Sequence, residues 1–523
     1  SLTEQFGIRS LEFSPEFGFK LNGKKIFLQG NANHHDLGAL GAASYDRAIE
    51  RMMLQLKSFG YNCIRCSHNP YSESFARIAD RVGMLVVNEL TDKWSDNDYW
   101  GGRQPFTHLW HKLITEWIKR DRNRPSIILW SLGNELQIRE GWAGFEGTND
   151  WGITTYNIFN QLVKRWDHTR LTTVAMFPAR AGAITRHDKE FNDYLVPPEL
   201  ACATEVASFN YQSDKYDAYL KYQPDLILFQ SEAETSKLLQ PYYNMDRKRT
   251  VGMAYWGSAE YWGESNKWPK KGWNYSFFDH TMRPYPQAYL IKSAFMPEIP
   301  EVHIGVVDAA GAESVSWNDV TVGRMALNEC WNHIPGSRQS LFTYTNAHSV
   351  ELLVNGQSMG VQQNDTTQAN LRNMIYWKDV PYGNGGSVVA IARDKSGKEV
   401  ARHRIETAGK AVALQIETET PADWKADGMD LQYINVTAID KKGRPVWDYN
   451  EPLTLQMEGA ARLVALDNGD HYTDELFQGI TSKRMYQGRM QIILRSTKTP
   501  SNVKLKISSA DLKEKLSLKT FLK

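Results

Sequence analysis

The sequence predicts a (β/α)8 barrel followed by two antiparallel β-sandwiches. Three observations carry that prediction. Eight short apolar runs alternate with helical patterns over roughly the first 290 residues, the length such a barrel needs. The stretch Phe295-Met-Pro-Glu-Ile-Pro-Glu then breaks the pattern with two prolines in four residues. Beyond it, apolar residues alternate with polar ones and no amphipathic helix of normal length follows.

The eight predicted strands are Ile26–Gly30, Tyr61–Arg65, Met84–Glu89, Ile127–Leu132, Leu171–Met176, Val206–Asn210, Leu226–Gln230 and Val251–Trp256. Most are continuously apolar, as parallel strands buried on both faces must be. Between the first two, Ser44 reads as an N-cap, Ala48, Met52, Leu56 and Phe59 fall on one helical face, and Gly60 ends the helix. Asp150 to Trp166 reads as another helix. A doubly wound open sheet is the alternative, but no glycine-rich phosphate loop follows the first strand.

After the break, Ser349-Val-Glu-Leu-Leu-Val alternates and closes on Asn355-Gly356, a strong hairpin signal. A second alternating set runs from Ala411-Val-Ala-Leu-Gln-Ile to Val503-Lys-Leu-Lys-Ile. Domains are therefore expected at residues 1–298 (barrel, with a short lead-in strand), 299–407 and 408–523, the latter two of immunoglobulin-like size. Tyr344, Trp377 and Trp424 in the sandwiches are candidate sugar platforms, with core packing the favoured reading.

Bulk properties exclude several functions. A net charge of +1 gives no general attraction to nucleic acid or anionic membrane surfaces, and no apolar run approaches 18 residues, so no spanning segment is expected. Four cysteines include Cys63 and Cys66, a C-x-x-C within a predicted strand and without a second pair to complete a zinc site. The N-terminus, Ser1-Leu-Thr-Glu-Gln-Phe-Gly, has neither the basic nor the apolar region of a signal peptide and reads as the interior of a longer protein.

Twelve of the seventeen tryptophans precede residue 298, which places a sugar site in the barrel rather than the sandwiches. In a barrel of this kind the chemistry sits at the C-terminal ends of the strands. Those ends carry His34-His35-Asp36, Arg65 with His68, Glu89, Asn134-Glu135, Asn210-Tyr211, Ser231-Glu232 and Trp256. An Asn-Glu directly after so apolar a strand as Ile127–Leu132 is a costly place for an idle charge. The second carboxylate is Glu232 or Glu234; they share strand parity, and Glu232 lies nearer the apolar run. A pair of carboxyls across one pocket is what glycoside hydrolysis requires.

At this point the motifs become specific. Leu21-Asn-Gly-Lys-Lys-Ile-Phe-Leu-Gln-Gly, His34-His-Asp-Leu-Gly-Ala-Leu-Gly, Ile64-Arg-Cys-Ser-His-Asn-Pro, Asn123-Arg-Pro-Ser, Trp130-Ser-Leu-Gly-Asn-Glu, Phe209-Asn-Tyr and Tyr255-Trp-Gly occur in order. The tail adds Val350-Glu-Leu-Leu-Val-Asn-Gly and Leu466-Asp-Asn-Gly-Asp. Together they resemble glycoside hydrolase family 2, the retaining β-galactosidases, β-glucuronidases and β-mannosidases. The resemblance implies a TIM barrel with immunoglobulin-like sandwiches, Glu135 as acid/base and Glu232 as nucleophile. It implies further that Asn134 bonds the sugar 2-hydroxyl, that His34 and His68 contact hydroxyls, and that Arg65 and Tyr211 support the nucleophile. Trp256 would form the floor under the sugar, and Asn210 and Glu260 join the substrate contacts. Two positions depart from the family's usual residues: Arg124 stands where His is common, and Glu260 where Asp is.

The implied activity is that of a retaining exo-β-glycosidase, with β-galactosides first and glucuronides, mannosides or plant glycans as alternatives. Asn266-Lys267-Trp268 lacks the Asn-x-Lys spacing of a glucuronide carboxylate clamp. The family's two N-terminal sandwiches have no counterpart here, so a fragment with an incomplete pocket is expected, and a non-catalytic carbohydrate-binding protein is one rival reading. The other is a metal-dependent hydrolase using His34, His35, His68 and Glu89, although barrel metal sites usually begin with His-x-His. No cofactor is required, while a structural Ca, Mg or Na ion is compatible. The expected partner is a glycoside or oligosaccharide, with no nucleic acid and no membrane. The sandwiches suit packing, substrate extension or contact in a homo-oligomer, and a periplasmic or extracellular bacterial location is expected with the cytoplasm as alternative.

Overall fold

The computed structural model describes residues 6–94, 106–136, 152–177, 196–265, 267–308, 312–317, 320–419 and 423–521. Eight parallel strands close into a barrel: β1 (Leu28–Asn33), β2 (Cys63–Cys66), β3 (Leu85–Glu89), β4 (Ile127–Asn134), β5 (Leu171–Met176), β6 (Val206–Asn210), β7 (Leu228–Ala233) and β8 (Gly252–Trp256). Each strand pairs with the next, and β8 returns to β1. The closing pair is tight: a Cβ on Gly30 would lie 2.9 Å from both Ala254 Cβ and the Met253 carbonyl oxygen, so glycine is required there.

All eight predicted strands are present, six of them with shifted ends. β1 begins two residues late because Leu11–Ser14, Gly18–Leu21 and Lys24–Lys25 form a small antiparallel sheet, and the Ile26 N–H still bonds the Phe19 carbonyl of that sheet. Continuous burial explains the apolar runs, and every residue of β4 is buried. Helix α1 (Asp46–Ser58) starts one turn position after the expected cap, since its first bond runs from the Ile49 N–H to the Tyr45 carbonyl. Helix α2 (Glu73–Val82) is capped by Ser72, whose hydroxyl accepts from the Phe75 N–H at 3.2 Å. Gly83, left-handed at φ 69°, ends α2. Helices Phe106–Asp121 and Ile153–Trp166 flank β4, and Asp150 lies outside the described residues. Cys63 and Cys66 are both buried in β2, and burial pushes the Cys63 thiol up to about 12, far from a reactive thiolate.

Among the described residues no helix follows Phe295. Residues 302–406 form two four-stranded antiparallel sheets around a core that includes Ile304, Trp331, Leu352, Trp377 and Ala390. The Asn355-Gly356 pair takes positive φ at both residues (52° and 83°) and joins Ser349–Val354 to Gln357–Gln363 as a two-residue hairpin. Residues 413–519 form a second such pair of sheets around Trp424, Ile434, Leu466 and Ile492. Tyr344, Trp377 and Trp424 are all core residues, and the two indoles are satisfied by Thr343 Oγ1 (2.9 Å) and the Asp430 carbonyl (3.1 Å). By its contacts the chain divides into two compact units. The first is Ser1–His35, Met53–Ser258 and Ser314–Gly323; the second is Asp36–Met52, Ala259–Glu313 and Arg324–Lys523. No described helix is long and apolar enough to cross a membrane.

Candidate active site

The end of β4 is shaped by a glycine. A Cβ on Gly133 would meet Trp94 Nε1 at 2.7 Å, and that indole donates to the Leu132 carbonyl at 2.8 Å. The strand therefore runs over the tryptophan and delivers Asn134 and Glu135. Glu135 takes a left-handed φ of 49°, while its N–H continues the ladder to the Ala175 carbonyl on β5 at 2.6 Å. Tyr211, just past β6, does the same: its φ is 59° and its N–H bonds the Glu232 carbonyl at 2.8 Å. That conformation costs a side-chain-bearing residue about 1–2 kcal/mol, and such strain collects where side chains must be aimed.

Arg65 on β2 is the hub. Its Nη1 donates to Glu232 Oε1 at 2.7 Å, its Nη2 to Asn134 Oδ1 at 2.9 Å, and its Nε and Nη2 to Glu89 Oε2 at 3.0 and 2.8 Å. Glu89 also accepts from Ser131 Oγ and from His68 Nδ1, both at 2.6 Å. Burial alone pushes the Glu89 carboxyl up; Arg65 and the His68 and Ser131 donors outweigh it and hold Glu89 below the ordinary carboxylate range. Asn134 extends the network, donating to Asp92 Oδ1 at 3.0 Å and to His68 Nε2 at 3.3 Å. Asp92 in turn accepts from Lys93 Nζ at 2.5 Å.

Glu232 receives the Arg65 guanidinium on one oxygen and the Tyr211 hydroxyl on the other, the latter at 2.5 Å. It is 3% exposed, and burial raises its carboxyl above the ordinary range. The negative charge of Glu135 adds to that rise, whereas Arg65, His68 and Tyr211 oppose it. Glu135 has a softer setting: its Oε1 accepts from Asn210 Nδ2 at 3.0 Å. The same amide also reaches Asn134 Oδ1 at 3.0 Å, and its oxygen accepts from Ser231 Oγ at 2.7 Å. Two buried carboxylates are thus joined by an Asn210–Asn134–Arg65 relay.

Trp256 ends β8 with its ring stacked on His68 (centroids 5.2 Å, 6°) and edge-on to His34 (5.0 Å, 90°). His34 is oriented by the Ser67 carbonyl, 3.2 Å from its Nδ1. The structure thus brings together nine of the ten sequence-selected residues. Asn210 is fully buried, so its described contacts position Glu135 and Asn134 rather than expose an amide. The tenth, Glu260, belongs to the second unit, where its side chain is 1% exposed and accepts from Tyr285 Oη at 2.8 Å beside His280 and His471.

Glu234 forms an ion pair with Lys237 at 2.5 Å and has no bond to Arg65 or Tyr211 among those described. His35 stacks on Tyr71 (4.5 Å, 19°), and both Glu89 oxygens accept from Arg65, His68 and Ser131. Arg124, the departure from His, faces Asp80 at 3.6 Å. Sequence reading placed Glu89 and Ser231 among the strand-end groups, with no individual role beyond the rival metal site for Glu89, and did not single out Asp92 or Ser131.

With this geometry in hand, residues 16–250 match the family model for the TIM barrel domain of glycosyl hydrolases family 2, and residues 414–516 match glycoside hydrolase family 2 C-terminal domain 5. The chain belongs to glycoside hydrolase family 2. The cluster from His34 to Glu232 lies within the matched family 2 barrel, and Trp256 just beyond it. Residues 336–401 match a domain of unknown function, DUF4982. Beta-galactosidase BoGH2A of Bacteroides ovatus is 27% identical over 98% of this chain and 63% of its own length. A beta-glucuronidase of Streptococcus agalactiae is 35% identical over 27% of this chain and 25% of its own. A family 2 member from Bacteroides cellulosilyticus has a crystal structure that superposes with a TM-score of 0.86 and 27% identity, covering 99% of this chain and 65% of that one. The chain therefore spans just under two thirds of these longer relatives.

Proposed function

We propose that this chain carries the catalytic centre of a retaining exo-β-glycosidase, with Glu135 as acid/base and Glu232 as nucleophile. One observation carries the reading: two buried carboxylates face one cluster and are linked through Asn210, Asn134 and Arg65. Glu232 is held by a guanidinium and a phenol, which orient it for attack. Glu135 accepts from the Asn210 amide at the end of β4. In the first step Glu232 attacks the anomeric carbon while Glu135 protonates the departing glycosidic oxygen. The resulting glycosyl ester is then opened by water, whose proton passes to Glu135. Trp256 offers an aromatic face to the pyranose, and His34 and His68, fixed by Ser67 and Glu89, are placed for its hydroxyls.

The substrate class we infer is a neutral β-glycoside, β-galactoside first. In the described cluster both cations are already paired, Arg65 with Glu89 and Glu232, and Lys93 with Asp92. Neither is set aside for a uronate carboxylate, and Asn266-Lys267-Trp268, after the eighth strand, lacks the Asn-x-Lys spacing of a clamp (Asn266 itself lies outside the described residues). A relative aligned over nearly the whole chain is named a beta-galactosidase, although beta-glucuronidases match as well. A panel of aryl β-glycosides tests this. Hydrolysis of the galactoside above the glucuronide and mannoside, lost in Glu135→Ala and Glu232→Ala, is expected; preference for the glucuronide overturns the sugar assignment, and turnover surviving both substitutions overturns the catalytic one.

The surroundings of Glu232 also set a pH dependence. The nucleophile must be ionised, so kcat/KM falls as pH drops through its raised pKa, and the acidic limb lies above the ordinary carboxylate value. Removing a hydrogen bond to a charged group costs about 1.5–3 kcal/mol, so Tyr211→Phe is expected to move that limb up by about one to two pH units. An unmoved limb shows that the Tyr211 bond does not act on the nucleophile.

A further inference from the structure

Away from the barrel cluster, the second unit holds three fully enclosed side chains that face one another: Glu260, His280 and His471. Their ligand atoms all lie within 4.8 Å of one another. Glu260 Oε2 is 3.3 Å from His280 Nδ1 and 3.1 Å from His471 Nε2. Those two separations lie near the edge of a tetrahedron with metal–ligand bonds of about 2.0–2.1 Å, which is about 3.3–3.4 Å.

The remaining valences are arranged to suit a cation. His280 is held between two carboxylates, its Nε2 2.8 Å from Asp467 Oδ1 and its Nδ1 3.3 Å from Glu260 Oε2, so a cation would displace the Nδ1 proton. A carboxylate behind a histidine is the usual outer support of a metal-bound imidazole. Glu260 Oε1 accepts from the Tyr285 hydroxyl at 2.8 Å, and Oε2, which accepts from the His280 backbone N–H at 3.3 Å, faces both imidazoles. His471 Nδ1 has no hydrogen-bond partner and Nε2 none beyond its 3.1 Å approach to Glu260 Oε2, although the residue is only 3% exposed. Trp262 stacks on that ring (5.0 Å, 18°) and fixes its plane. Glu260, His471 and Tyr285 also line a cavity of about 160 Å³, where Asn274 Oδ1 and Gln287 Oε1 are likewise without partners. A cavity of that size and polarity holds water, the natural fourth ligand.

A second Glu–His–His group, Glu329 with His303 and His403, does not meet the same test. His403 Nδ1 accepts from the Ile304 N–H at 3.0 Å, so its Nε2 carries the proton and has no lone pair to give.

We propose that Glu260, His280 and His471 form a binding site for one zinc ion, with Asp467 and Tyr285 as its outer supports. Mixed nitrogen and carboxylate donors in a tetrahedral arrangement select zinc over calcium or magnesium. The proposal is independent of the glycosidase reading, because none of these residues is placed in the catalytic cluster.

The test uses the whole chain, stripped by a chelator, dialysed, and titrated with Zn²⁺ in competition with a chromophoric chelator. One equivalent is expected to bind, and Co²⁺ in its place should give the intense visible bands of a four-coordinate ion. His471→Gln removes a ligand and should abolish stoichiometric binding. Asp467→Asn should weaken it about 10–100-fold, the effect of losing an outer support, while His403→Gln should leave it unchanged. No stoichiometric zinc on the native chain, binding that survives His471→Gln, or loss only in His403→Gln would each overturn the proposal. The native titration and the Co²⁺ spectrum decide the matter even if a substituted chain fails to fold.

Discussion

Replacing Glu135 with Gln should lower kcat/KM about 10²–10⁴-fold on glycosides with poor leaving groups, the span of a lost general acid. On a 2,4-dinitrophenyl glycoside the first step needs no proton, so kcat/KM should change little. There kcat should fall instead, because no base activates the water, and a burst of phenolate should reveal the accumulated glycosyl-enzyme. Azide, which needs no deprotonation, should restore turnover and leave a β-glycosyl azide. Equal losses on good and poor leaving groups would mean that Glu135 does not handle the proton.

The second large effect concerns stability. Arg65 is the cation shared by Glu89, which is 0% exposed, and Glu232, which is 3% exposed. Arg65→Met leaves both carboxylates buried without it, and breaking such a pair costs about 3–5 kcal/mol. Urea unfolding followed by tryptophan fluorescence should show that loss at neutral pH, together with loss of activity. In the native chain Glu89 sits below its ordinary pKa, so its stabilising contribution is present above that ordinary value and is lost as pH falls through the depressed one. In the variant the carboxylates protonate easily, and the stability gap should narrow on acidification. Arg65→Met/Glu89→Gln should recover part of the loss without recovering activity. A gap under 1 kcal/mol, or one that widens at low pH, contradicts the picture of Arg65 as the buried counter-ion.

The barrel was readable because its strands are apolar on both faces and its helices are not. Ile127–Leu132 needs no partner information to be recognised as buried, and Asn134-Glu135 directly after it marks the pocket. Strand ends were less readable where another element competes, as at Ile26, which bonds the preceding hairpin. The choice between Glu232 and Glu234 was not readable by parity, and the structure shows why. A register shift between Gln230 and Glu232 lets Ser231 bond Asn210 while Glu232 bonds Arg65 and Tyr211, side chains that simple alternation would send to opposite faces. Partnerships across the barrel were invisible for the same reason that they matter: Glu89 to Arg65 and Asn210 to Glu135 join residues far apart in the chain. Glu260 was drawn toward the site by the family motif that follows Trp256, and the neighbours described for it are two histidines and a tyrosine, none of them near it in the sequence.

The central claim is that Glu232 attacks the sugar. Treating the chain with a 2,4-dinitrophenyl 2-deoxy-2-fluoro-β-galactoside and locating the adduct by peptide mass spectrometry tests it most directly. A single fluorosugar ester on Glu232, formed in Glu135→Gln as well and absent from Glu232→Ala, is the predicted result. An adduct on Glu234, or none on any carboxylate of a chain that turns over the parent galactoside, would contradict it.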